Sequence, residues 1–193
     1  MSASAEEHSR GQANLAGVLG WPIKHSRSPR VHGFWLAKYG IEAEYVPMAV
    51  PPEDLVSTLK NLARLGFVGI NVTVPHKEAA LEVVDEVDET ALAIGAVNTV
   101  IVRKDGSLKG LNTDGFGFIE NLRQGAPAWK AETGCSMVLG AGGAARAVLF
   151  ALLDAGAPRV MLTNRTSARA EALADEFGPR VTVTPWHERE ETL

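Results

Sequence analysis

The sequence has little cysteine and no excess of positive charge. Cys135 is the single cysteine among 193 residues, so no intrachain disulfide can form and a reducing compartment is expected. Lysine and arginine total 19 against 23 for aspartate and glutamate, which gives a formal charge of −4. Nucleic acid is therefore not expected as a partner, because no basic excess is present to neutralise phosphates. A small anion held by one or two local cations remains compatible with this composition.

Long apolar runs are also missing. The first residues, MSASAEEHSRGQANLAG, contain no apolar stretch of signal-peptide length, and no later run approaches the length of a membrane span. A cytoplasmic location without a membrane partner is therefore expected, and no metal site is predicted. The oligomeric state is not fixed by the sequence, which leaves a homodimer open.

Short apolar runs alternate with helical stretches, which predicts an α/β fold around a mostly parallel sheet. The predicted strands are Ala16–Gly20, 43–50, Phe67–Val74, Ser136–Leu139 and Arg159–Thr163. The predicted helices run from Ser28 to Tyr39, from Pro51 and Pro52 onward, through Val83–Leu92, from Asp114 to about Arg123, and from the Gly140 loop to about Ala155. The Asp105-Gly106 pair predicts a hairpin. The domain junction is placed near Thr113–Asp114.

A glycine-rich loop lies between the strand Ser136–Leu139 and the helix that follows it. Its spacing, Gly140-x-Gly142-x-x-Ala145, fits a dinucleotide-binding fingerprint. Gly140 permits a tight turn, Gly142 lets the backbone approach a pyrophosphate, and Ala144 or Ala145 permits close helix packing. The N–H groups at the start of the helix then bind phosphates. The alternative is a glycine-rich turn without a ligand.

The end of the second strand indicates which dinucleotide is bound. NAD-binding proteins usually place an acid there, whereas this chain has Asn164, Arg165 and Thr166, with Arg169 one turn later. An arginine pairs with a 2′-phosphate that a carboxylate would repel, so NADP is favoured. The alternative is that Arg165 and Arg169 are solvated residues at the start of a helix.

Polar residues also gather at the predicted loops and strand ends of the first half, where α/β sheets bind ligands. They are Ser26, Ser28, Thr73, Lys77, Asn98, Asn112, Thr113 and Asp114. Structural alternatives remain for several of them: Ser28 and Asp114 as helix caps, and Asn98 as a turn residue. For His25 and His76, a helix-entry or surface role is favoured over catalysis.

Six segments in this order resemble the shikimate dehydrogenase family: HSRSPRVH, GINVTVPHKE, GAVNTV, GLNTDGFGF, LGAGGAARAV and TNRT. The resemblance implies an NADP-dependent oxidoreductase of aromatic amino acid (chorismate) biosynthesis that interconverts 3-dehydroshikimate and shikimate. It further implies a substrate-binding α/β domain at residues 1–113 and a Rossmann NADP-binding domain at 114–193, incomplete at its C-terminus.

The resemblance also implies a role for each matching residue. Ser26 and Ser28 would bind the substrate carboxylate, and Thr73, Asn98 and Asp114 its ring hydroxyls. Lys77 would be the catalytic lysine, paired with Asp114. The residues expected to bind the cofactor are Gly140, Ala141, Gly142, Gly143, Ala144, Asn164, Arg165, Thr166 and Arg169.

The family's chains extend beyond this one, which predicts a fragment or truncated product with weak activity. Two alternatives remain open at this point. One is a quinate/shikimate dehydrogenase that uses NAD, against which the TNRT run argues. The other is a non-catalytic module that binds shikimate or the nucleotide without turnover.

Overall fold

A computed structural model describes residues 14–191; the polar start of the chain and its last two residues lie outside that range. The chain divides into two compact units. Unit 1 combines the chain up to Asp88 with Val97–Leu111, and unit 2 combines Glu89–Ala96 with the chain from Asn112 onward. The assignment of residues 1–113 to substrate and 114–193 to NADP stays a prediction.

Unit 1 is built on a six-stranded mixed sheet. Its elements are β1 (Asn14–Gly20), α1 (Ser28–Tyr39), β2 (Ala43–Ala49), α2 (Leu55–Asn61), β3 (Phe67–Val72), α3 (Lys77–Leu81), β4 (Glu86–Val87), β5 (Thr99–Val102) and β6 (Leu108–Leu111). The strand order is β2-β1-β3-β5-β6-β4. Strand β1 is parallel to β2 and β3, and β4 is parallel to β6, whereas β5 is antiparallel to both neighbours. The predicted mostly parallel α/β sheet is confirmed.

Unit 2 contains a parallel three-stranded sheet in the order β7-β8-β9. Its elements are α4 (Glu89–Ile94), α5 (Asp114–Gly125), β7 (Cys135–Leu139), α6 (Gly143–Asp154), β8 (Arg159–Thr163), α7 (Ser167–Phe177) and β9 (Val181–Val183). Leu149 and Leu152 of α6, Val160 and Leu162 of β8 and Leu173 of α7 are buried in one cluster. The strand–loop–helix–strand order predicted around Gly140 is therefore present, with a core of its own.

Several local predictions are confirmed by the backbone. Helix α1 ends where Gly40 adopts a left-handed conformation (φ 62°), and the Ile41 N–H returns to the Leu36 carbonyl at 3.0 Å. The β5–β6 hairpin turns at Gly106 (φ 87°), where Asp105 Oδ1 accepts a 2.9 Å bond from the Ser107 N–H. Glycine is needed at both turns because L-residues with side chains rarely adopt a positive φ.

Three local predictions are wrong. Ser28 does not cap α1: it is the first helical residue, and Arg27 occupies the cap position without a side-chain cap bond. Strand β3 ends at Val72 instead of Val74. The stretch Val83–Leu92 is not one helix, because pairing with β6 draws its middle into strand β4 before α4 begins. Tertiary pairing overrides helix propensity there.

Among residues 14–191, no helix combines the length and apolar character that crossing a bilayer requires.

Gly95, which follows α4, is expected to be structurally essential. It has φ +72°, and a Cβ there would lie 2.6 Å from Arg146 Nη1, which is itself held by Glu176 at 2.6 Å. Gly95→Ala should therefore lower the free energy of unfolding by about 1–2 kcal/mol, whereas Gly33→Ala in the open middle of α1 should raise it by up to about 1 kcal/mol. Urea-unfolding midpoints test both changes, and a Gly95→Ala protein as stable as the parent would contradict this account.

Candidate functional site

Backbone hydrogen bonds hold Thr73, Lys77 and Asn98 close together at one end of the unit 1 sheet. Lys77 is the first residue of α3, and its carbonyl accepts a 2.8 Å bond from the Val97 N–H. The next residue, Asn98, accepts through its own carbonyl from the Val72 N–H at 2.8 Å. Thr73 follows Val72, at the carboxyl end of β3, where α/β sheets place their ligands. Residues that carry an ammonium, an amide and a hydroxyl therefore lie near one another along the backbone at this end of the sheet.

His76 anchors the start of α3 beneath this group. Its side chain is 1 % exposed, and Nε2 lies 2.7 Å from the Val50 carbonyl oxygen. The prediction of a helix-entry role is confirmed, since His76 occupies the cap position of α3. A surface role is wrong for His76. The buried bond ties the first turn of α3, and hence the Lys77 backbone, to the chain that leaves β2.

The residues Tyr45, Asn71 and Thr99 complete the polar group and were missed by the sequence reasoning. The Tyr45 hydroxyl donates to Asn71 Oδ1 at 2.6 Å, and Asn71 Nδ2 donates to Thr99 Oγ1 at 3.1 Å. The Thr99 hydroxyl then donates to Asn98 Oδ1 at 2.9 Å. A signal did exist, because Asn71 interrupts the apolar run of GINVTV between the buried residues Ile70 and Val72.

The two serines occupy the turn into α1, and both are half-buried. Ser26 Oγ accepts a 3.3 Å bond from the Ser28 N–H, so the two residues predicted to bind a carboxylate are directly joined. Burial raises the pKa of the Tyr45 phenol to about 12, and the adjacent Ser28 hydroxyl opposes that rise. Tyr45 therefore keeps its proton, and its ability to donate, at all pH values well below 12.

Asp114 belongs to unit 2, where it is the first residue of α5. Its N–H donates to Asn112 Oδ1 at 2.9 Å, and Asn112 is buried with its Nδ2 bonded to the Ala96 carbonyl at 2.8 Å. The alternative of Asp114 as a helix cap is wrong, because Thr113 holds the cap position and makes no side-chain cap bond. Asn112 fixes the backbone that presents the Asp114 carboxylate.

The glycine-rich loop has the geometry of a phosphate cradle. Gly140 has φ 114°, and its N–H donates to the Thr163 carbonyl at 2.8 Å, which joins the loop to the end of β8. Helix α6 begins at Gly143 without a side-chain cap bond to its first turn. Its first N–H groups thus point towards the loop without a side-chain acceptor.

Gly142 provides the test of whether this loop fits a dinucleotide. Its backbone is extended (φ −118°), a conformation open to any residue, and a Cβ there would meet no atom of the described residues within 4 Å. Neither strain nor protein packing therefore requires glycine at this position. The absence of a side chain is explained by a ligand that approaches the backbone closely, as a pyrophosphate does. The loop fits the predicted cofactor.

The second cofactor segment follows β8. Asn164 Nδ2 donates to the Thr166 carbonyl at 2.9 Å and shapes the turn into α7. Arg165 and Arg169 are exposed, and within residues 14–191 neither forms an ion pair. Two guanidinium groups therefore lie near the end of β8 without a carboxylate that would compete with a 2′-phosphate.

Comparison with known proteins matches both halves of the chain. Residues 18–100 match the shikimate dehydrogenase substrate binding domain, and residues 128–193 match the shikimate / quinate 5-dehydrogenase family. A shikimate dehydrogenase (NADP(+)) of Paramagnetospirillum magneticum is 58 % identical over 95 % of this chain. The chain spans 66 % of the length of that relative and of a second curated relative, from Rhodospirillum rubrum.

Solved structures agree with these matches. Shikimate 5-dehydrogenase of Thermus thermophilus, solved with NADP(H) and shikimate, is 43 % identical with a TM-score of 0.78, over 91 % of this chain and 69 % of that one. Quinate dehydrogenase of Corynebacterium glutamicum, solved with NAD, is 31 % identical with a TM-score of 0.85, over 94 % and 67 %. The chain belongs to the shikimate dehydrogenase family.

Proposed function

We propose that the protein is an NADP-dependent shikimate dehydrogenase, which reversibly reduces 3-dehydroshikimate to shikimate. The observation that carries the proposal is 58 % identity, over 95 % of the chain, to a relative named for this activity. The chemistry of the described residues supports it. A small hydroxylated carboxylate suits the hydroxyls, amide and ammonium gathered in unit 1, and a dinucleotide suits the loop of unit 2.

Substrate recognition is assigned to buried and half-buried polar residues of unit 1 and to Asp114. Ser26 and Ser28 are proposed to bind the substrate carboxylate through their hydroxyls, because a hydroxyl beside a charged acceptor makes a strong hydrogen bond. Thr73, Asn98 and Asp114 are proposed to bind the ring hydroxyls. Asn98 would act as a donor through its amide nitrogen, since its Oδ1 already accepts from Thr99.

Lys77 is proposed as the general acid. Reduction of a ketone places negative charge on its oxygen, and an ammonium group can stabilise that charge and supply the proton. The backbone bond from Val97 and the buried His76 fix the start of α3, so the Lys77 side chain departs from a rigid base. Asp114 is assigned to catalysis as well as to substrate binding.

Cofactor binding is assigned to unit 2. The backbone from Gly140 to Ala144 would hold the pyrophosphate, and Asn164, Arg165, Thr166 and Arg169 would hold the adenosine 2′-phosphate. When bound, NADPH supplies the hydride for the ketone carbon. The small-molecule substrate and cofactor are the partners proposed for this chain, whereas a cytoplasmic location and a homodimer stay predictions.

Shikimate-dependent formation of NADPH, followed by absorbance, tests the proposal on the purified chain. Binding of shikimate is measured in parallel by calorimetry. Measurable turnover would support the proposed dehydrogenase activity. A folded chain that binds shikimate without turnover supports the binding-module alternative instead, and a folded chain that binds neither shikimate nor NADP would refute the proposal.

Arg165→Ala is expected to weaken binding of NADP by about 10- to 100-fold and binding of NAD little, because a charge-assisted bond to the 2′-phosphate is lost. Arg159→Ala is the matched control, since Arg159 is an exposed arginine at the opposite end of β8. Dissociation constants for both cofactors test the expectation. Equal losses for NADP and NAD would overturn the 2′-phosphate assignment and favour the alternative of an NAD-dependent quinate/shikimate dehydrogenase.

A further inference from the structure

A single chain of side-chain hydrogen bonds spans four adjacent strands of the unit 1 sheet and contains residues from three of them. It runs from Tyr45 on β2 to Asn71 on β3, on to Thr99 at the start of β5, and ends on Asn98. Asn98 is a proposed substrate residue, and Ser28, another, lies beside the Tyr45 hydroxyl. Tyr45, Asn71 and Thr99 thus connect two parts of the proposed substrate site.

The direction of the bonds in this chain is fixed by a backbone carbonyl. Asn71 Nδ2 also lies 3.5 Å from the Asn98 carbonyl oxygen, which can only accept. The atom of Asn71 on that side is therefore nitrogen, and its oxygen faces Tyr45, whose hydroxyl must donate. Asn71 then donates to Thr99, and the Thr99 proton goes to Asn98 Oδ1. Since Oδ1 of Asn98 accepts from Thr99, the amide nitrogen is the second polar atom of that side chain, and it is the atom assigned to the substrate.

The ring of Tyr45 is held independently of its hydroxyl. It stacks on His32 of α1 with ring centroids 4.0 Å apart and planes 3° from parallel. Phenylalanine can make the same stack, so Tyr45→Phe removes the first hydrogen bond of the chain and leaves the packing in place. The sequence has one other tyrosine, Tyr39, which is 66 % exposed and provides a matched control.

We infer that Tyr45 is a positioning residue for the substrate site: its hydroxyl, together with the Asn98 carbonyl, holds the amide of Asn71 in place and, through Thr99, steadies that of Asn98. The inference rests on the proposed function, because it assigns Asn98 as a donor to a substrate oxygen. Without the Tyr45 proton, Asn71 loses the bond that holds its oxygen towards β2. Asn71 is then held from one side only, so its amide and, through Thr99, the amide of Asn98 become more mobile, and Asn98 presents its nitrogen to the substrate less precisely.

Tyr45→Phe is therefore expected to weaken binding of shikimate about three- to tenfold, the effect of one lost hydrogen bond, and to leave binding of NADP unchanged. Tyr39→Phe should bind both ligands as the parent does. In the free protein, the side-chain amide resonances of Asn71 and Asn98 should move in Tyr45→Phe and stay in place in Tyr39→Phe. If the Asn98 resonance does not move, Tyr45 does not orient Asn98 and the inference fails, whether or not the chain binds shikimate.

A double-mutant cycle separates positioning from general loosening of the fold. Thr99→Val breaks the same chain one step later, so it should weaken shikimate binding by a similar factor. The double variant Tyr45→Phe/Thr99→Val should bind shikimate about as well as either single variant, because both act through Asn98. Fully additive losses would overturn the inference, as would unchanged shikimate affinity in Tyr45→Phe. If the parent chain itself binds no shikimate, the proposed function fails, and the amide resonances alone decide whether Tyr45 orients Asn98.

Discussion

Lys77→Ala is expected to lower kcat for shikimate oxidation by about 10²–10⁴-fold, the usual contribution of a positioned acid–base group. The loss should fall mainly on kcat, because the residues proposed to bind the substrate, the two serines, Thr73 and Asn98, are unchanged in this variant. The fold should survive, since the bond from the Val97 N–H reaches the Lys77 backbone carbonyl and does not involve the side chain. Steady-state kinetics with saturating NADP provide the measurement.

The control for Lys77→Ala is Lys60→Ala. Lys60 is an exposed lysine in α2 of the same unit, and its loss should leave kcat unchanged. Thermal unfolding of both variants shows whether either is destabilised. A Lys77→Ala protein that is folded and retains the parent kcat would show that another group supplies the proton, and the catalytic role proposed for Lys77 would be wrong.

Gly142→Val is expected to reduce NADP affinity by about 100-fold or more, because a side chain would occupy the space that the pyrophosphate needs and break its bonds to the loop. Stability should change by no more than about 1 kcal/mol, the cost of a poorer helix cap. The extended backbone of Gly142 suits valine, and no described atom lies within 4 Å of the added Cβ. Calorimetric titration with NADP and urea unfolding test the two halves of this prediction.

Gly134→Val provides the matched control for Gly142→Val. Gly134 precedes β7, at the end of that strand opposite the loop, and its backbone is also extended (φ −167°). A Cβ at Gly134 likewise meets no described atom within 4 Å. NADP affinity should therefore be unchanged. If both valine variants bind NADP as the parent does, the glycine-rich loop does not hold the pyrophosphate.

The elements around the glycine-rich loop of unit 2 were predictable because their signals are local. The spacing of Gly140 and Gly142, the strand before them and the alanine-rich helix after them lie within one short segment. The structure has the same elements, although α6 begins at Gly143, inside the predicted loop. The strand Arg159–Thr163 agrees with its prediction at both ends. Local glycine and strand patterns are sufficient to predict these elements, since each element packs against its neighbour in sequence.

The less predictable parts depend on residues far apart in the sequence. The middle of the predicted helix Val83–Leu92 forms strand β4 instead, because its backbone pairs with β6, which lies over 20 positions later in the sequence. For His76 the sequence left a helix-entry and a surface role open, and the ring is buried because it bonds the Val50 carbonyl of another segment at 2.7 Å. Local propensity does not predict either contact, since both form only when distant segments meet in the assembled sheet.

The family, the α/β architecture, the glycine-rich loop and the residue types available for chemistry could all be read from the sequence, because they follow from contiguous motifs and from hydrophobic patterns. How those residues are supported became visible only in the folded chain. Folding bonded the Lys77 carbonyl to Val97, the neighbour of Asn98, buried the His76 ring against the Val50 carbonyl, and linked Tyr45 to Asn98 through Asn71 and Thr99. Hydrogen bonds between distant segments depend on strand order and register, which no local pattern of residues specifies.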